Sequence, residues 1–106
     1  MIRERLDNRR PNRTISLEYG GETYHVTLGF YFDPSSVTLR VAEVFTHGAK
    51  VGSTMDGLLD DACIALSLLL QYGAKPKQIA ASMGRDGDKP ASIIGALADL
   101  LVEWDK

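Results

Sequence analysis

GAKVGSTMDGLLDDACIALSLLLQYG, residues 48–73, is the stretch whose reading decides how this chain folds. It opens as a glycine-containing loop and becomes an apolar-rich helix at Ser53–Thr54. A Ser53 or Thr54 hydroxyl can accept a hydrogen bond from a first-turn amide, and Asp56 puts negative charge at the positive end of the helix dipole. Gly73 supplies the stop, because glycine takes the left-handed conformation that closes a helix. Between these signals Met55, Leu58, Leu59, Ala62, Leu66, Leu69 and Leu70 recur at three- and four-residue spacing, which predicts one broad buried face. Ile64, Ala65 and Leu68 add apolar flanks. About 19 residues make a helix roughly 28 Å long. That spans a small domain, so this element is expected to be the central core helix.

Upstream of it the period changes from helical to alternating. Ile15, Leu17 and Tyr19 alternate with Thr14, Ser16 and Glu18, and Tyr24, Val26, Leu28, Phe30 and Phe32 alternate with their polar neighbours. Gly20–Gly21 lies between the two runs, as a two-residue hairpin turn requires. Gly29, among large neighbours, marks a bulge or a close approach. Asp33-Pro34-Ser35-Ser36 reads as a turn, and Val37–Phe45 as a third strand. Its alternation breaks at Ala42–Glu43. A bulge near Val41–Ala42 is predicted, because unbroken alternation would bury an unpaired Glu43 carboxylate in the apolar face. Downstream, Pro76 opens a short helix over Lys77–Met83, residues 84–89 form a polar loop, and Pro90 opens a last helix running to about Trp104. The predicted order is β-β-β-α-α-α: an α+β fold with a three-stranded antiparallel sheet packed on one face by a long core helix and two further helices.

The chain has 106 residues, 44% hydrophobic and 25% charged, which fits one globular domain over 14–106. Residues 1–13 read as a basic arm or linker. They hold five arginines against Glu4 and Asp7, a net of +3, while the whole chain carries −2. Such an arm can dock on an acidic face of its own body or of a partner. Nucleic acid is disfavoured as a partner, since no aromatic residues interleave the arginines. MIRERLDNRRPNR is charged rather than apolar, and the longest apolar run is too short to cross a bilayer, so a cytoplasmic protein is expected. Cys63 is the single cysteine, which excludes an internal disulfide and a thiolate metal cluster.

Chemistry-bearing residues are sparse. Gly48, Lys50, Gly52, Ser53 and Thr54 form a candidate anion-binding loop at a helix N-terminus, although the spacing departs from a Walker loop and Asp56 opposes an anion there. His47 with Glu43 and Asp56 has no recognised metal-ligand spacing, and His25 is expected as a solvated strand residue. Asp60 and Asp61 diverge by about 100° on a helix and do not share a proton easily. No activated nucleophile is expected: Cys63 has no neighbouring base, and a buried structural thiol is its ordinary role. The expectation is no catalytic residue, no metal and no cofactor site.

Several segments together resemble a known family. RERL at 3–6, RRPNRT at 9–14, GGETYHVTLGFY at 20–31, EVF at 43–45, AKVGSTMDGLLDDACIALSLLLQYG at 49–73 and ASIIGALADLLVEW at 91–104 are similar to the TSCPD-type domain. That domain lies near the C-terminus of adenosylcobalamin-dependent (class II) ribonucleotide reductases and also stands alone in small proteins. The resemblance implies the fold and a deoxyribonucleotide-synthesis context. It gives no catalytic residue to carry over, because in those reductases the radical chemistry, the adenosylcobalamin and the redox cysteines lie outside this domain. Two functions are therefore expected. The first is a non-catalytic accessory or interaction domain, oligomeric, with its own copies and a ribonucleotide reductase chain as partners. The alternative is a module that binds a nucleotide or another phosphorylated metabolite at Gly48–Thr54.

Overall fold

Gly20 and Gly21 both take positive φ (60° and 82°) and fold the chain back in a two-residue turn. This sets β1 (Asn12–Tyr19) against β2 (Glu22–Asp33) with Tyr19 opposite Glu22 and Ile15 opposite Val26. The molecule is described from a computed structural model over residues 2–47 and 54–105. β1 starts at Asn12, two residues before the alternation becomes visible in the sequence. After a turn held by Asp33, whose carboxylate accepts from the Ser35 amide (3.0 Å) and both serine hydroxyls, β3 (Thr38–His47) returns antiparallel to β2. The sheet order is β1-β2-β3.

The predicted bulge is present. Gly29 pairs with Glu43 but Phe30 pairs with Val41, so Ala42 is the extra residue. Val41 and Val44 both stay in the core, and Glu43 turns to the opposite face of the sheet. There it lies over Gly29: a Cβ on Gly29 would stand 2.5 Å from Glu43 Cγ and 2.7 Å from its Cδ. Gly29 is therefore the hollow that receives this side chain.

Helix α1 (Thr54–Gln71) ends as predicted. Gly73 has φ of 102°, its amide donates to the Leu70 carbonyl, and the Ala74 amide donates to Leu69, a Schellman closure. Helix α2 (Pro76–Ser82) begins on Pro76. The polar loop that follows is a small hairpin, with β4 (Arg85–Asp86) paired to β5 (Lys89–Pro90) around Gly87 at positive φ. Pro90 belongs to β5 and does not open the last helix. That helix, α3 (Ile93–Trp104), is capped by the Ser92 hydroxyl, which accepts from the Gly95 amide at 3.0 Å. Tyr24, Val26, Leu28 and Phe30 of β2 meet Leu59, Leu66 and Leu70 of α1 and Leu97 and Leu101 of α3 in one core. The fold is α+β, a three-stranded antiparallel sheet followed by three helices.

One expectation about α1 is corrected. Its buried residues are Leu59, Cys63, Leu66, Ser67, Leu70 and Gln71, while Met55, Leu58 and Leu69 are exposed. At 100° per residue the buried face is turned by about 80° from the predicted one. The cause is β3, an edge strand whose outward backbone groups need partners. Ser67 Oγ accepts from the Val44 amide at 3.0 Å and donates to the Val44 carbonyl at 3.3 Å. Gln71 Nε2 donates to the Ala42 carbonyl at 3.1 Å, and Asp105 accepts from the Val41 amide at 3.0 Å. Sealing the strand edge outweighs burying three more apolar side chains.

Candidate interaction surface

The arm is tied to its own body. Residue 4 donates its amide to the Gln71 carbonyl at 2.9 Å, and Arg3 Nε donates to Gln71 Oε1 at 2.6 Å. The Phe30 amide donates to the Pro11 carbonyl at 3.0 Å, so the arm joins the start of β1 to the C-terminal end of α1. Arg10 grips Glu43 with two nitrogens, Nε to Oε2 and Nη2 to Oε1, the latter at 3.1 Å. Glu43 is 5% exposed, so this guanidinium neutralises a buried carboxylate and its own pKa rises further in return. Glu4 pairs with Arg40 at 2.8 Å, Arg40 lies 4.5 Å over the Tyr31 ring, and the Tyr31 hydroxyl donates to the Glu4 carbonyl. Burial and the nearby Glu4 push the Tyr31 phenol up. Three of the arm's arginines are thus engaged within the fold, Arg13 by lying 5.4 Å over Trp104. Arg5 and Arg9 stay exposed.

Of the candidate loop residues, Gly48, Lys50, Gly52 and Ser53 lie outside the described residues, and Thr54 is exposed at the first position of α1. Asp56 sits in the first turn. Cys63 is buried, and burial pushes its thiol up; Thr46 Oγ1, 3.7 Å from its sulfur, pulls the other way. A thiol so placed is a poor nucleophile. Asp60 and Asp61 are exposed. His25 and His47, which sequence spacing holds apart, are direct cross-strand partners in the β2–β3 register. The hairpin register carried that signal, once the bulge was counted. Among the described residues no group of three or more His, Cys, Asp or Glu side chains is placed to hold a metal. No described helix is long and apolar enough to cross a membrane.

Two larger clefts are open to solvent. One of about 730 Å³ lies between the β1–β2 turn and α3, with Glu18, Asp86, Asp99 and Glu103 against Lys89 on its walls. Asp99 there is held by Arg85 at 2.9 and 2.5 Å, and the acidic lining repels phosphate. The other, about 910 Å³, lies under the arm, where Arg5, Arg9 and Arg10 face Glu4 and Asp7. Neither is lined by histidine or cysteine.

The distinctive surface is α1 itself. Met55, Leu58, Ile64, Leu69 and Tyr72 are all exposed, on the sides of the helix turned away from the sheet. Met55, Leu58 and Leu69, with Tyr72 just past the end of α1, share one side of the helix and form a candidate interaction surface, while Ile64 lies on another side. Sequence reasoning found the apolar residues but placed three of them in the core.

The model of the TSCPD domain family matches residues 3–104. A vitamin B12-dependent ribonucleotide reductase of Rhodopirellula baltica is 30% identical over 96% of this chain and 10% of its own length. Reductases of the same name from Streptomyces coelicolor and Agrobacterium fabrum are 39% and 28% identical, over 68% and 87% of this chain and 7% of their own length each. The chain thus spans a tenth or less of these relatives. No solved structure matches it. A family model covering nearly every residue and a set of reductase relatives lead to one conclusion: the chain belongs to the TSCPD domain family.

Proposed function

We propose that this chain is a non-catalytic accessory domain of deoxyribonucleotide synthesis, acting in the cytoplasm by association with its own copies and with a ribonucleotide reductase chain. The carrying observation is the apolar side of α1 left uncovered on a domain whose curated relatives are vitamin B12-dependent ribonucleotide reductases. The buried thiol and the arginines spent on internal contacts support an interaction role over chemistry. Any vitamin B12 chemistry is assigned in this reading to the reductase chain.

The test is capture from native lysate with the tagged chain after mild crosslinking, with mass spectrometry of what is retained. Recovery of a ribonucleotide reductase chain is expected; its absence from repeated captures refutes the accessory reading. The rival, a nucleotide or phosphorylated metabolite held at Gly48–Thr54, is separated by thermal shift. A ligand at about 100 times its dissociation constant adds roughly 2.7 kcal/mol. The accessory reading expects a nucleotide panel to leave the melting temperature unchanged.

A further inference from the structure

We infer that the exposed stripe of α1 pairs two copies of this chain, helix against antiparallel helix. The inference deepens the association reading above and rests on it, naming a second copy as what covers this face. Met55, Leu58, Ala62, Ala65 and Leu69 of α1, and Tyr72, which extends its last turn through an amide hydrogen bond to the Leu68 carbonyl, follow one another at alternating three- and four-residue steps, the period of a helix–helix seam. Met55 is 47% exposed, Leu58 60%, Leu69 47% and Tyr72 42%. None of the six is among the residues that α1 buries against the sheet.

The order of sizes along the stripe is the telling feature. From either end it runs two large side chains, two alanines, two large side chains. A two-fold axis midway between Ala62 and Ala65 sets Met55 against Tyr72 of the second copy, Leu58 against Leu69, and Ala62 against Ala65. Large side chains meet at both ends, and the alanines let the backbones approach at the centre. A two-fold interface needs this self-complementarity, since each residue must suit its symmetry mate.

Charge selects the same orientation. The acidic residues of α1, Asp56, Asp60 and Asp61, all lie in its N-terminal half, and the helix has no lysine or arginine. Asp61 flanks the stripe, about 70° from its centre, whereas Asp56 and Asp60 point to the other side of the helix. Parallel pairing would set the two Asp61 carboxylates at one level; antiparallel pairing sets each beside the acid-free half of the other copy and opposes the helix dipoles. Area sets the strength. Four large side chains about half exposed, at roughly 200 Å² each when free, place on the order of 400 Å² per copy in the contact. A standard stable interface takes about 800 Å² per partner. The pair is therefore of the transient class.

Sedimentation equilibrium of the whole chain across micromolar to sub-millimolar concentration tests this. The weight-average mass is expected to rise from one chain towards two. Leu58→Lys and Leu69→Glu each weaken pairing by about tenfold or more, and the melting temperature of the dilute chain holds because both positions are exposed. Mixing the two variants restores pairing: in the mixed pair one Lys–Glu contact and one Leu–Leu contact replace two mismatches. A single-chain mass at every concentration overturns the pairing, and if that chain still captures a reductase, the accessory reading stands without it. Pairing that neither variant weakens overturns the assignment to α1. A mixture that pairs no better than either variant alone overturns the antiparallel register.

Discussion

Replacing Gly29 by alanine adds one methyl group to the middle strand of the sheet, and the structure makes its effect depend on one distant side chain. Gly29 is not at positive φ, so the backbone accepts alanine without strain. In open surroundings the change would stabilise by about 0.4–1 kcal/mol through lower unfolded-state entropy. Here the new Cβ would fall 2.5 Å from Glu43 Cγ and 2.7 Å from Cδ. Glu43 must move, and its two-nitrogen grip on Arg10 goes with it. Overpacking costs about 1–3 kcal/mol. Breaking a fully buried ion pair costs about 3–5 kcal/mol. Glu43 is buried but the Arg10 side chain is 32% exposed, so the pair falls well below that range. A loss of about 2–4 kcal/mol results, which at this size lowers the melting temperature by roughly 10–20 °C. In a Glu43→Ala background the obstruction is gone and Gly29→Ala should become neutral or stabilising. The assay is urea unfolding followed by circular dichroism on wild type, both single variants and the double variant. A coupling of at least about 1 kcal/mol is expected between the two positions. Additive effects, or a Gly29→Ala loss under about 0.5 kcal/mol, would refute the account of this contact.

Other expectations follow from single contacts. Ser67→Ala leaves the buried Val44 amide without its partner and should cost about 1–3 kcal/mol in the same denaturation assay, although it removes only one oxygen. Val37 holds φ of 53°, a conformation that costs a side-chain-bearing residue about 1–2 kcal/mol; Val37→Gly should recover much of that, read as a higher melting temperature. The Ser35 and Ser36 hydrogen bonds hold the Asp33 carboxyl below the usual carboxylate range. A lowered folded-state pKa stabilises above the unfolded pKa, and this share is lost as pH falls through the folded value. Asp33→Asn should therefore flatten the acid limb of the stability profile below about pH 4, and an unchanged limb would assign that loss to other carboxylates.

How much of this was legible in the sequence differs by element. The Gly20–Gly21 turn, the bulge at Ala42 and the Gly73 helix stop could be read because each rests on backbone rules acting over a few residues. The face of α1 could not. The helix is apolar almost all round, so spacing leaves its rotation undetermined. What fixes the rotation is the need of β3 for Ser67 and Gln71, a demand from another part of the chain. The β4–β5 hairpin was hidden for a similar reason: two residues on each side carry no period. The candidate surface inherits the same gap. Leu58 and Leu69 were visible as hydrophobic residues, and only the packing shows that they face outward. The Arg10–Glu43 contact was half visible: the bulge kept Glu43 out of the apolar core, but the arm that reaches it has no pattern of its own.

The sealed edge of β3 also sets a valence. From Val41 to Val44 its outward backbone groups are taken by Ser67, Gln71 and Asp105. Among the described residues, β1 has no such cover on its outer backbone. A sheet with two free sides can add strands without end and grow into a ribbon. A sheet with one can join a single neighbour and then must stop. Three side chains thus turn an open-ended polymer of sheets into something that terminates by construction. Removing them should show itself as unlimited growth as well as lower stability.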